Sequence, residues 1–120
     1  MVLVDTSIWI DHFRRGNTIL AQMLSVSQVT THPLVIGELA CGNMKERAKI
    51  LQLLNNLPRL EQMSHDNVLA FIERHYLWGK GIGYTDAHLL ASALLSEIPL
   101  WTLDKRLNTL ALEIGVATAP

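Results

Sequence analysis

The chain has 120 residues, with ten lysines and arginines against eleven acids and a net charge of −1, so it is no general polycation for coating nucleic acid. One cysteine, Cys41, excludes an internal disulfide, and no apolar run approaches the roughly 20 residues of a membrane span. A single domain over 1–120, without a signal peptide, in a reducing cytoplasmic setting is expected, with Cys41 as a buried inert thiol. The hydrophobic fraction of 49% and mean hydropathy of +0.22 are high for so short a chain and point to a partner that covers apolar surface.

Residues 1–4 read as a buried strand of aliphatic and β-branched side chains that stops at Asp5. Thr6 and Ser7 favour a helix start, and an apolar-periodic segment follows from Ile8 to Phe13. Residues 14–17 end that helix. Residues 18–26 read as a helix with Ile19, Leu20, Met23 and Leu24 on one stripe. Residues 29–31 are β-prone. Pro33 suits the first turn of a helix that carries Glu38 on its second turn and ends at Gly42. Gly37 inside it costs up to about 1 kcal/mol against Ala, and close packing would explain it.

Residues 44–55 read as another helix, with Ile50, Leu51, Leu53 and Leu54 forming a wide apolar stripe and Lys45, Arg47 and Lys49 a solvated face. Pro58 breaks it, and residues 59–63 suit a short third strand. Ser64 reads as the N-cap of a long helix to about Trp78, with His75 a satisfied histidine on its apolar face. The glycine-rich loop 79–83 lacks P-loop spacing. Thr85 reads as a cap and Asp86 as a first-turn acid of an almost wholly apolar helix to Leu95, which must be central. Residues 100–103 form a second buried strand that stops at Asp104, followed by a helix to about Ile114. Residues 116–118 are a candidate edge strand.

Strand, aspartate, helix therefore occurs twice. Alternating strands and helices predict an α/β fold with a parallel sheet covered by helices. In such sheets ligands bind beyond the carboxyl ends of the strands. Asp5, Glu38, Asp86 and Asp104 are placed to share that crevice. Four carboxylates there repel one another unless a cation neutralises them, and hard oxygen donors select Mg²⁺ or Mn²⁺ over zinc. Carboxylate-held Mg²⁺ acts mostly on phosphates, by activating water and stabilising phosphoryl charge, so phosphodiester hydrolysis is the natural reading.

Four motifs in order carry a family resemblance: Val4-Asp5-Thr6-Ser7, Pro33 to Leu39 with Glu38, Gly83-Tyr84-Thr85-Asp86-Ala87-His88-Leu89-Leu90-Ala91, and Thr102-Leu103-Asp104-Lys105-Arg106-Leu107. Together they resemble the PIN-domain ribonucleases, and among them the VapC toxins of prokaryotic toxin–antitoxin pairs. The resemblance implies a three-layer α/β/α sandwich with a short, mostly parallel sheet of four to five strands. It also implies metal-dependent endoribonuclease activity, a cognate VapB-like antitoxin and a homodimer. It places Asp5 and Asp86 as the most direct metal ligands and Thr6 or Ser7 as a hydrogen-bond partner behind them. Asp104 completes the site, and Glu38 binds a second metal or orients the attacking water. Arg14, Lys80, Lys105 and Arg106 are candidates for RNA phosphate contacts.

Three other readings remain beside this one. A haloacid-dehalogenase-type phosphatase needs a second aspartate two residues after Asp5, where Ser7 stands. A receiver-like domain wants paired acids after the first strand. A PIN fold kept only for binding has no need of four intact acids.

Overall fold

The computed structural model describes residues 1–119. Strand β1 (Val2–Val4) leads into helices α1 (Thr6–Arg15) and α2 (Thr18–Ser25), then β2 (Val29–Thr30). Helices α3 (Pro33–Ala40), α4 (Arg47–Asn56), α5 (His65–Arg74) and α6 (Tyr84–Ser96) follow, then β3 (Leu100–Trp101) and α7 (Lys105–Ile114). The sheet has the order β2-β1-β3, with both pairings parallel. The chain steps from β1 to β2 in one direction and returns past β1 to β3 in the other. Right-handed crossovers then put the helices of the two connections on opposite faces. The reversal opens a crevice beyond the carboxyl ends of β1 and β3, where Asp5 and Asp104 follow their strands.

Among the described residues three strands form the sheet, not four to five. The expected strands at 59–63 and 116–118 shrink to single bridges, Thr31 with Arg59 and Leu100 with Thr118. Pro58 has no N–H to give, and most of 59–63 is solvent-exposed, so one rung forms and pairing stops. The last segment leaves Gly115 in a left-handed turn and pairs only around Leu100.

Several helix boundaries also differ from the sequence reading. Helix α4 starts at Arg47 because Glu46 adopts a left-handed conformation, φ 52°. Helix α5 ends at Arg74, capped by His75, and Tyr76 at φ 53° turns the chain away, so no helix reaches Trp78. Gly83, not Thr85, is the N-cap of α6, and Asp86 accepts from its N–H at 3.4 Å. Cys41 is exposed, since it sits on the turn that ends α3. A Cβ at Gly37 would meet nothing within 4 Å, so close packing does not explain that glycine.

The core joins Leu3 and Val4 of β1 to Ile8 and Trp9 of α1, Val35 of α3, Leu54 of α4, Leu89 and Leu90 of α6 and Leu107 of α7. Helix α6 buries a continuous run from Ala87 to Ala93, as its apolar sequence requires. Helix α4 packs on α3, and Leu54 is fully buried. The apolar stripes of α2 and α4 are therefore divided: Leu20 and Leu54 are core, while Ile19 and Leu53 face solvent. Among the described residues no helix is long and apolar enough to cross a membrane.

Candidate active site

Asp5 occupies the N-cap position of α1, yet its carboxylate caps nothing. It is only 6% exposed, and it is held instead by two hydroxyls. Ser7 Oγ and Thr102 Oγ1 each donate to Asp5 Oδ2 at 2.7 Å. Each hydroxyl has its direction set by a backbone N–H from the turn after β3. Leu103 N donates to Ser7 Oγ and Asp104 N donates to Thr102 Oγ1, both at 3.0 Å. Asp5 N also donates to Trp101 O, so the end of β1 is tied to the end of β3.

Asp104 does cap its helix. Its Oδ1 accepts from Arg106 N at 2.9 Å and Leu107 N at 3.2 Å. Glu38, on the exposed face of α3, accepts at Oε1 from Thr6 Oγ1 at 2.9 Å. Thr6 and Ser7 thus serve different acids.

Asp86 links the four electrostatically. Its carboxyl is raised to about 6, mainly by burial and against the steadying Gly83 N–H. The charges of Asp5, Asp104 and Glu38 each push it further in the same direction, so all three face it closely enough to be felt.

A regularity runs through the set. In each acid one oxygen is tied to the frame: Asp5 Oδ2, Glu38 Oε1, Asp86 Oδ2 and Asp104 Oδ1. The second oxygen of each has no hydrogen-bond partner among the described residues. Fixed carboxylates with one free oxygen apiece are a donor set suited to a hard divalent cation. As they stand they are spread apart. Among the described residues no three acidic, imidazole or thiol groups lie close enough to hold one ion.

The candidate cations divide. Lys80, Lys105 and Arg106 line one cleft along α7, whereas Arg14 lines another cleft with Glu38. Thr102 escaped the sequence reading as a site residue. Its signal was its place two positions before Asp104, which parallels Ser7 two positions after Asp5.

The sequence profile of the PIN domain matches residues 2–112. Ribonuclease VapC32 of Mycobacterium tuberculosis, in strains CDC 1551 / Oshkosh and ATCC 25618 / H37Rv, is 48% identical over 120 residues, spanning 99% of this chain and 97% of that protein. Among solved structures, PAE2754 from Pyrobaculum aerophilum superimposes with a TM-score of 0.66 at 18% identity, covering 91% of this chain and 83% of that one. FitAcB from Neisseria gonorrhoeae superimposes with a TM-score of 0.63 at 17% identity, covering 100% of this chain and 97% of that one. At such identities the structural likeness establishes the fold, and the relative carries the activity. The ribonucleases of this family use a divalent cation. The chain belongs to the PIN-domain family and, within it, to the VapC-type endoribonuclease toxins.

Proposed function

We propose that this toxin cleaves RNA with Mg²⁺ or Mn²⁺ held by the free oxygens of Asp5, Asp86 and Asp104, as one PIN-like domain over 1–120. The single observation that carries the reading is the pattern of four carboxylates, each with one oxygen fixed and one free, in which the charges of three add to burial in raising the pKa of the fourth, Asp86. A bound divalent cation would supply water activation and charge stabilisation on the phosphoryl oxygens.

The rest is the work of the chain. Ser7 and Thr102 hold Asp5 in one orientation. The first turn of α7 does the same for Asp104. Glu38, steadied by Thr6, either takes a second cation or orients the attacking water and accepts its proton. Single-stranded or looped RNA is the expected substrate, since its phosphates can be presented with the bases splayed. The proposed setting is the cytoplasm, with a VapB-like antitoxin as inhibitor and a homodimer as the working form.

The test is cleavage of single-stranded RNA with Asp5→Asn and Asp86→Asn proteins. Both should lose activity by at least a hundredfold while keeping the circular dichroism of the wild type. Mg²⁺ or Mn²⁺ should raise the wild-type Tm, because a ligand that binds only the folded state stabilises it. Undiminished cleavage by both variants, or by wild type in excess EDTA, overturns the reading. A folded protein that binds RNA without cutting it would be a PIN fold kept for binding.

A further inference from the structure

Three of the ten lysines and arginines share one cleft along α7, the helix that Asp104 caps. Lys80, Lys105 and Arg106 line a cleft of about 290 Å³ with Thr109, Leu110 and Glu113. Lys80 comes from the loop before α6, and the other two come from α7. Among the described residues the sole pairing of a basic side chain with a carboxylate within 4 Å is Arg15 with Asp11, so none of the three is neutralised. In a chain of net charge −1, three unpaired cations sharing one cleft repel one another and favour an anion between them.

Arg106 is seated rather than free. Gly81 stands at φ +81°, and a Cβ there would come 2.5 Å from Arg106 Nη1, 3.0 Å from Cδ and 3.2 Å from Cζ. The missing side chain is the space in which the guanidinium lies. A guanidinium matches the two-oxygen edge of a phosphate. The end of α7 is not itself the anion site, since the N–H groups of Arg106 and Leu107 are taken by Asp104.

We propose that Lys80, Lys105 and Arg106 form a binding site for an RNA phosphate next to the one that is cut, with Gly81 as the seat that fixes Arg106. The proposal rests on the ribonuclease reading, which supplies RNA as the anion. Asp104 is the N-cap of the helix whose first two residues, Lys105 and Arg106, line the cleft, so a strand whose scissile phosphate lies at the acids can pass over them as it leaves. Glu113, of opposite sign, lines the same cleft, so the site suits one phosphate rather than a continuous track. Arg106 is here a positioning residue, and the acids keep the chemistry.

Labelled single-stranded RNA, bound to protein silenced by Asp86→Asn, tests this directly. Arg106→Gln should weaken binding about tenfold, as expected for a charged hydrogen bond lost to solvent. It should also make the slope of log affinity against log salt shallower by about 0.7. Gly81→Ala should cause a similar loss although no charge is removed, and adding it to Arg106→Gln should cost nothing further. Lys80→Gln provides a second variant in case Gly81→Ala collapses the loop, which a lowered Tm would reveal. A neutral methylphosphonate walked along the RNA should weaken binding at one linkage next to the cut, and that effect should vanish in Arg106→Gln. Full affinity and unchanged salt slope in both Arg106→Gln and Lys80→Gln overturn the proposal. So does a methylphosphonate effect equal in wild type and variant, or a loss confined to binding of a protein partner. Absence of cleavage by the unsilenced wild type would instead strike at the ribonuclease reading, which separates the two failures.

Discussion

At the residue scale, the site depends on hydroxyls that aim at Asp5. A buried carboxylate deprived of one donor pays part of its desolvation back, typically 1–3 kcal/mol. Thr102→Val keeps the shape and removes the donor. It should lower stability by about 1–2 kcal/mol in urea unfolding and reduce cleavage, while Ser7→Ala alone acts in the same direction. If Thr102→Val is neutral in both, the hydroxyl frame is incidental. His32 carries a second consequence. Its Nδ1 accepts from Leu34 N at 3.0 Å, capping α3, and its Nε2 faces Ser92 Oγ at 3.2 Å, which donates to Glu61 O. Burial, with some help from the His88 imidazole, lowers its pKa to about 4. The unfolded chain takes up this proton near 6.5 and the native ring resists it, so the contribution is intact above about 6.5 and is lost as pH falls towards 4. The full loss is about 3 kcal/mol. His32→Asn keeps a capping oxygen and removes the titration, so its stability relative to wild type should improve steadily from about pH 7 to about pH 4.5. A constant difference between the two across that range would show that His32 titrates normally.

At the element scale, α3 carries Glu38 to the crevice and contains a glycine with no packing reason. Gly37 has a helical backbone and open space around its missing Cβ. Gly37→Ala should stabilise the protein by about 0.5–1 kcal/mol, read as a higher denaturation midpoint with unchanged slope. Destabilisation would mean that α3 needs the glycine for a motion or contact absent from the folded chain alone. What was legible in the sequence divides along similar lines. Strand, acid and helix could be read at 2–15 and 100–114 because hydrophobic runs, caps and breakers act within a few residues. The edge pairings at Arg59 and Thr118 were overestimated because strand length depends on a distant partner's free N–H and C=O groups. Thr102 was missed for the same reason, since the carboxylate it serves lies 97 positions away. Cys41 was misplaced because its type favours burial, while its position at the end of α3 decides exposure. Asp5 and Asp104 could be placed at strand ends and Asp86 in a first turn from local pattern, whereas the field of Asp5, Asp104 and Glu38 at Asp86 depends on the crossover order β2-β1-β3.

At the scale of the whole molecule, the apolar excess is divided between core and surface differently from what α2 and α4 suggested. Leu54→Ala should cost about 2–5 kcal/mol, as deletion of a fully buried leucine does, while Leu53→Ala should cost little. Leu54 is therefore no probe of any partner surface. A more suitable face lies where α1, α3 and the approach to α4 meet. A cleft of about 600 Å³ there is lined by Ile10, Phe13, Leu39, Met44 and Ile50, with Arg14 and Glu38 at its polar edge. An amphipathic helix lays apolar side chains into such a groove, and Glu38 connects this one to the active-site acids. An antitoxin seated here would bury its apolar face against Ile10 and Phe13 and carry a basic residue to Glu38, blocking the crevice by charge as well as by bulk. Ile10 is 38% exposed, so Ile10→Glu can be made without emptying the core. It should weaken the toxin–antitoxin complex at least tenfold in a calorimetric titration and leave Tm and RNA cleavage close to wild type, whereas Leu53→Glu, outside the cleft, should leave the complex intact. The opposite pattern, with Leu53→Glu disrupting the complex and Ile10→Glu tolerated, would move the antitoxin to the outer face of α4.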